Sequence, residues 1–310
     1  MQEFIRGLHR LEQRHYGCVA TIGAFDGVHL GHQAILRQVI GKARELGVPS
    51  LVMVFEPQPH EYFSRERAPA RLTRLREKVK ALFTAGVDRV LCLQFNSALR
   101  SLSAHDFVGR VLVQGLGIKH LVVGDDFRFG CDRSGDYAML QSAGTQYGFT
   151  VSDTATCEFD GERISSTRIR QLLEKDQFEL VETLLGRPFG VAGRVVHGLR
   201  LGRNLGAPTA NVGLGRYRSP VQGVYAVEID VAGCRYSGAA NVGVRPTLGG
   251  GHKPLLEVHI FDFSDTIYGQ CINVIFRKKL RNEEKFDSLE ALAAQIKTDI
   301  AKGREFFNLS

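Results

Sequence analysis

The stretch Gly23-Ala24-Phe25-Asp26-Gly27-Val28-His29-Leu30-Gly31-His32 lies between an apolar run, Cys18 to Ala24, and a helical pattern from about Gly31 to Leu46. That pattern sets Ala34, Ile35, Val39, Ala43 and Leu46 on one stripe and stops at Gly47. The stretch therefore ends a first strand and opens a first helix. Gly23, Gly27 and Gly31 let a ligand come close to the backbone. The first turn of the helix offers unpaired N–H groups to an anion. His29 and His32 are three residues apart and share a face once the helix has begun. Two imidazoles beside such a helix start can stabilise charge developing on nucleotide phosphates. The same spacing fits half of a metal site, but no neighbouring cysteine or carboxylate pattern completes one. Either histidine alone also has an ordinary structural reading.

Outward from this turn, the first half of the chain keeps alternating strand and helix. Ser50 to Phe55, Arg89 to Phe95 and His120 to Gly124 are further short apolar runs. Helical patterns cover about Thr73 to Ala85 and a segment starting near Ser103, whose partner Asp106 resembles a capping box. Strands apolar throughout, with helices between them, predict a parallel sheet covered on both faces. Two short helices, Thr167 to Glu174 and Gln177 to Leu185, precede a change of pattern at Gly186-Arg187-Pro188. Beyond it, Val191–Val196, Gly223–Val231, Tyr236–Val242, Leu255–Phe261 and Cys271–Phe276 are glycine-flanked and several alternate polar with apolar. That is the pattern of half-buried antiparallel strands and predicts a compact β-barrel. A last helix, about Ser288 to Phe307, carries Leu289, Leu292, Ile296 and Ile300 on one face. Two domains are expected, 1–186 and 187–310.

Composition narrows the class. With 310 residues, 44% hydrophobic and 24% charged, the chain reads as a globular protein of two cores. No apolar run is long enough for a membrane span, and the charged start lacks a signal core. A cytoplasmic location with no membrane partner is expected. The six cysteines form no CxxC pair and read as thiols. A net charge of +7 attracts polyanions, but the densest basic stretch, Arg65 to Lys80, has no interleaved aromatics. That stretch reads as a solvated helix face, nucleotide phosphates are another polyanion the overall charge would attract, and nucleic acid is not expected as a partner.

Three more segments carry chemistry. Val123 to Gly130 (VGDDFRFG) follows the last N-terminal strand, and Arg163 to Arg170 (RISSTRIR) leads into a helix. Ser165, Ser166 and Thr167 can cap that helix or, with Arg163 and Arg170, hold phosphates. Gly193 to Asn211 is glycine-rich and basic but lacks the GK[ST] of a Walker loop. In an extended Pro208-Thr209-Ala210-Asn211, Thr209 and Asn211 project to the same face, where two neutral oxygens suit Mg²⁺ bridging nucleotide phosphates.

Together GxFDGxHxGH, VGxDFxFG and RISSTxIR resemble the adenylyltransferase module of bacterial bifunctional riboflavin kinase/FAD synthetases. GxVxHGxxxGRxLGxPTAN, NVGxRPT (Asn241 to Thr247) and LRxExxF (Leu280 to Phe286) resemble the riboflavin kinase family. The resemblance runs from about Cys18 to Phe307, and Ala207 departs from it where an aromatic residue is common. It implies an α/β, Rossmann-like nucleotidyltransferase domain followed by an antiparallel β-barrel kinase domain ending in a helix. The implied reactions take riboflavin and ATP to FMN, then FMN and ATP to FAD, with Mg²⁺ as cofactor.

The resemblance also distributes roles. ATP in the adenylyltransferase would be held by Gly23, Phe25, Asp26, Gly27, His29, Gly31, His32, Asp126, Arg163, Ser165, Ser166, Thr167 and Arg170, with His29 and His32 catalytic. Its flavin would be seated by the Phe55-Glu56-Pro57-Gln58-Pro59 loop, through Pro57, Pro59, Phe63 and Asp126. In the kinase, Gly193, Val195, His197, Gly198, Gly202, Arg203, Gly206, Pro208, Thr209 and Asn211 would hold the nucleotide. Thr209 and Asn211 would hold the metal, and Glu257, Arg281 and Glu283 would meet the flavin. Transfer to an alcohol benefits from a general base. By alternation alone Glu257 is an outward polar residue, and its place in the family-like Leu256-Glu257-Val258-His259-Ile260 segment makes it that base.

Overall fold

The computed structural model describes residues 2–64, 66–124, 126–198, 207–215, 218–246 and 252–309. By contact the chain divides into two units, Met1–Ala68 with Leu75–Ser165 and Pro69–Arg74 with Ser166–Ser310.

The first unit is built on a six-stranded, all-parallel sheet in the order β1-β4-β3-β2-β5-β6. The strands are β1 Glu3–Arg6, β2 Val19–Ile22, β3 Ser50–Glu56, β4 Arg89–Gln94, β5 His120–Val122 and β6 Thr150–Ser152. The four central strands are the apolar runs of the sequence, and their residues are almost all buried. One face packs Val52, Val54 and Val90 against Leu36 of helix α1 (Leu30–Leu46) and Leu82 of α3 (Leu75–Thr84). The other packs Leu51, Met53 and Leu91 against Phe107, Val111 and Leu112, on a π-wound helix, Phe107–Gly115, that continues α5 (Ala104–Asp106). Cys18 belongs to this core, and burial pushes its thiol up to about 12. Ser103 caps α5 as the sequence predicts, its hydroxyl accepting from Asp106 N. Short α2 (Pro59–Phe63), α4 (Ser97–Arg100) and α6 (Tyr137–Tyr147) fill the remaining connections, with a small hairpin of β7 (Glu158–Phe159) and β8 (Glu162–Arg163).

Strand order decides where a ligand can bind. The chain steps outward through β2, β3, β4 and then returns to the other side of β2 with β5. In open α/β sheets the crevice at the carboxyl end of such a reversal is the binding site. Here the loops that leave β2 and β5 are Gly23–His29 and Val123–Gly130.

The second unit is a closed, antiparallel barrel in the order β10-β13-β12-β11-β14-β9. Its strands are β9 Gly190–Val196, β10 Ala210–Gly213, β11 Gly223–Val231, β12 Cys234–Pro246, β13 His252–Ile260 and β14 Cys271–Arg281. The last helix, α9, spans Leu289–Phe306 and is capped by Ser288. Leu289, placed by the sequence on the inward stripe, is 62% exposed. It is the first helical residue, while Leu292, Ile296 and Ile300 are half-buried and the residues the helix buries fully are Asp299 and Gly303.

The contact boundary falls ahead of α7 (Ser166–Glu174) and α8 (Phe178–Leu185), whereas the sequence pattern changes after them. Both helices go with the barrel. Phe178 meets Tyr225 edge-on at 5.7 Å and stacks over Phe276 at 6.3 Å. Lys279 pairs with Asp176 at 2.9 Å and Arg277 with Glu182 at 3.0 Å. Phe178, Val181, Leu184 and Leu185 are all buried. At about 1.5–3 kcal/mol for each large apolar side chain taken out of water, a fragment starting at Arg187 should be less stable than one starting at Ser166 by at least about 3 kcal/mol. Urea denaturation of the two fragments checks this, and equal midpoints would contradict it.

Candidate active sites

The turn after β2 is held in an uncommon backbone conformation. Phe25 and Val28 have positive φ angles of 46° and 44°, and Gly27 one of 87°. A β-branched residue with positive φ is a genuine outlier, and such strain gathers at functional sites. Packing sustains it here, since Phe25 and Val28 are each 2% exposed within the sheet–helix core. The turn delivers His29 as the N-cap of α1, its Nδ1 accepting from His32 N at 3.3 Å. The two imidazoles stack at 3.7 Å with an 18° interplanar angle, and Phe25 leans on His32 at 4.9 Å.

His32 is held uncharged. Burial drives its pKa well below the usual imidazole value, and His29, Lys78 and Arg163 add positive charge in the same direction. Its Nδ1 is buried and has no hydrogen-bond partner among the described residues. Gly31 keeps this corner narrow, because a side chain there would stand 3.2 Å from the His29 ring and from Ile164 O.

The loop after β5 brings the second motif to the third. Asp126 tucks a carboxylate oxygen against bare Gly124 and pairs with Arg163 at 3.3 Å, both side chains largely exposed. Ser165 stands two residues beyond Arg163, after the buried Ile164. Ser166, Thr167 and Arg170 continue the motif along α7, where Arg170 Nε donates to Ala70 O at 2.5 Å. The loop after β3 starts α2 at Pro59, with Gln58 and Glu61 buried. Above it Phe55, Tyr62, Phe63 and Phe95 form a chain of edge-on rings 5.3–6.0 Å apart. Arg100 lies 5.1 Å over Phe63, which is 61% exposed. Of this platform the sequence points to Phe63 and to Phe55, the first residue of the proline-bearing loop. Tyr62 is the neighbour of Phe63 on α2, whereas Phe95 and Arg100 come from later elements and join the platform only in three dimensions.

In the barrel, strand register does the assembling. Arg281, Val224, Asn241, Glu257, Asn211 and Val196 stand abreast, one on each of β14, β11, β12, β13, β10 and β9. Paired residues share a face, so Glu257 stands between Asn211 and Asn241. Asn211 is buried, and its amide fills the place a side chain on Gly198 would take. Thr209 sits just before β10. With Val195 and Pro208 it lines a cleft of about 180 Å³ completed by Ala210, Val258, Ile260 and the segment Phe263–Tyr268.

Around that cleft His259 Nδ1 bonds Pro208 O at 2.9 Å and His197 stacks on Tyr268 at 4.0 Å. Gly193 packs against Val212 and Gly213 where β9 closes on β10, and Ala207 is buried. Gly202, Arg203 and Gly206 lie outside the described residues.

Arg281 is clasped by Asp299, Nε donating to both carboxylate oxygens at 3.0 Å and Nη2 at 2.8 Å, while Nη1 donates to Asn282 O. The clasp ties the start of the Asn282–Phe286 segment to α9. Glu283, on that segment, accepts from Gln222 Nε2 at 3.0 Å. Among the described residues no group of three or more His, Cys, Asp or Glu is arranged to hold a metal, and no helix is long and apolar enough to cross a membrane.

Comparison with known proteins agrees with both halves. A family model for FAD synthetase matches residues 11–168 and one for riboflavin kinase matches residues 185–307. The bifunctional riboflavin kinase/FMN adenylyltransferase of Pseudomonas fluorescens is 56% identical over 302 residues, 97% of either chain. That of Escherichia coli K12 is 51% identical over 310 residues, 99% of either chain. A solved structure described as a macrolide-efflux protein from Streptococcus pneumoniae superimposes with a TM-score of 0.78 at 32% identity, covering 96% of this chain and 97% of its own. The chain belongs to the family of bifunctional riboflavin kinase/FMN adenylyltransferases.

Proposed function

We propose that the two modules act in turn on one flavin. The barrel transfers the terminal phosphoryl group of ATP to the ribityl 5′-hydroxyl of riboflavin, giving FMN and ADP. The parallel-sheet module then joins the AMP part of a second ATP to the FMN phosphate, giving FAD and pyrophosphate. The observation that carries the reading is the barrel register, which stands the Glu257 carboxylate beside Asn211, while a separate strand order sets a helix start and two imidazoles at the sheet's reversal point.

The two reactions need different help. A ribityl alcohol is protonated at neutral pH and gains from a base, which is the role assigned to Glu257. The FMN phosphate is already an anion, so the adenylyltransferase has only to align it with the ATP α-phosphorus and to meet the charge that develops. The α1 N-terminus and Arg163 supply positive potential. His32, being uncharged, contributes as a hydrogen-bond donor beside His29. Ser165, Ser166, Thr167 and Arg170 are assigned to the phosphates on the motif alone. The Phe55–Phe95 platform suits the flat isoalloxazine ring.

Thr209 and the Asn211 amide seated against Gly198 are hard, neutral oxygen donors of the kind Mg²⁺ accepts. Bound there, the ion would neutralise and orient nucleotide phosphates. Six free thiols fit a reducing, cytoplasmic setting.

Two variants separate the modules. Replacing His29 and His32 together with Ala should abolish FAD formation from supplied FMN and leave riboflavin phosphorylation intact, as followed by chromatography of the flavins. FAD formed at the normal rate would remove both histidines from the mechanism. Glu257→Gln should cut kcat for FMN formation by roughly a hundredfold to ten-thousandfold, with riboflavin affinity and FMN adenylylation unchanged. Normal turnover would rule Glu257 out as the base, and a loss confined to riboflavin binding would make it a flavin-positioning residue.

A further inference from the structure

Asn241 stands in the barrel row directly beside Glu257, on the face opposite the buried Val242 and Leu256. Its Oδ1 is enclosed and accepts no hydrogen bond from any described residue. Enclosed amide oxygens nearly always have a donor, and one without it calls for an explanation. Among the described residues the neighbours on this face do not supply one. Glu257, acting as a base, is a carboxylate and only accepts. Two residues along β12, Gly243 leaves the surface bare, and Glu283 Oε1 occupies the place where a side chain would begin. Asn241 Nδ2 lies 3.4 Å from that same point, so the donor end of the amide is on the Glu283 side. Glu283 is itself fixed there by Gln222. What remains is an acceptor left over beside two carboxylates, Glu257 in the same row and Glu283 at Gly243.

Such a row is matched by a molecule that brings several donors in line. A polyol does so, since each hydroxyl gives one hydrogen to one acceptor. Neighbouring strands are about 4.8 Å apart, a spacing that hydroxyls one or two carbons apart on a single chain can bridge. We propose that Asn241 is a specificity-determining residue of the kinase. Its Oδ1 accepts from a secondary hydroxyl of the ribityl chain, at the 4′ or 3′ carbon, and so holds the 5′-hydroxyl against Glu257. This rests on the assignment of Glu257 as the base.

The test compares riboflavin with its 3′-deoxy and 4′-deoxy analogues as substrates of the full-length protein, wild type and Asn241→Ala. The wild type should discriminate against at least one analogue by about tenfold in kcat/KM, the worth of one hydrogen bond in a desolvated site. Asn241→Ala should lose a similar factor on riboflavin and no longer distinguish that analogue from riboflavin. Unchanged kcat/KM on riboflavin, or wild-type discrimination against both analogues in the variant, would overturn the proposal. FMN adenylylation should be unaffected, and the thermal unfolding of the variant reports on the barrel. If Asn241→Ala does not fold, Asn241→Ser, which keeps an oxygen on a shorter side chain, carries the same comparison. Altered discrimination then supports the role and wild-type discrimination refutes it. A wild-type protein that did not phosphorylate riboflavin at all would instead bring down the kinase reading on which this rests. If wild type and variant both work on riboflavin with equal discrimination, only the role of Asn241 falls.

Discussion

Two imidazoles stacked at 3.7 Å cannot both be charged at modest cost. Around His29 and His32 that constraint organises the whole turn after β2. Phe25 and Val28 accept positive φ angles and are buried for it, His29 caps α1 through its own ring nitrogen, and His32 is enclosed and neutral. The division of labour at the site follows. In the proposed mechanism hydrogen bonds come from the histidines, and the positive potential comes from the helix N-terminus and from Arg163, which pairs with Asp126. A neutral donor and a fixed dipole suit a reaction whose nucleophile already carries charge, because neither has to gain or lose a proton as the phosphate attacks.

The barrel solves the opposite problem by different means. Its nucleophile is an alcohol that has to be deprotonated, and its polar groups are placed by strand register rather than by a loop. Glycines leave room for side chains at the barrel wall, Gly198 for Asn211 of β10 and Gly243 of β12 for Glu283. The Arg281–Asp299 clasp fixes the segment that brings Glu283 there, a bidentate pair with both partners mostly out of water. Arg281 was read from the sequence as a flavin contact. Its guanidinium also holds Asp299 and Asn282 O, and these bonds anchor that segment.

How much of this could be read in the sequence depended on range. The central strands β2 to β5 are apolar throughout and were legible as a parallel sheet. The edge strands were not. Glu3–Arg6 carries a charge at each end, and Thr150–Ser152 has three residues of which two are hydroxylated, so neither shows an apolar run. β10 begins at the end of the glycine-rich segment, where only Pro208 to Asn211 could be read as extended. The turn at Gly23–His32 was fully legible because its glycines, histidines and helix start are contiguous. Asn241 was visible only as part of a motif, since its standing beside Glu257 follows from pairing between strands about sixteen residues apart in sequence. Local chemistry is written locally. Register, the aromatic platform and the Asp299 clasp are made by closure of the fold and leave no periodic signal.

The central claim is that one chain carries two complete and different phosphate chemistries. The most direct measurement follows the nucleotides and flavins together in one reaction begun with riboflavin and excess ATP. The account predicts that FMN rises first and then falls as FAD accumulates, with one ADP and one pyrophosphate released for every FAD formed. FMN that accumulates without any FAD or pyrophosphate, or riboflavin left unconsumed while supplied FMN is adenylylated, would contradict it.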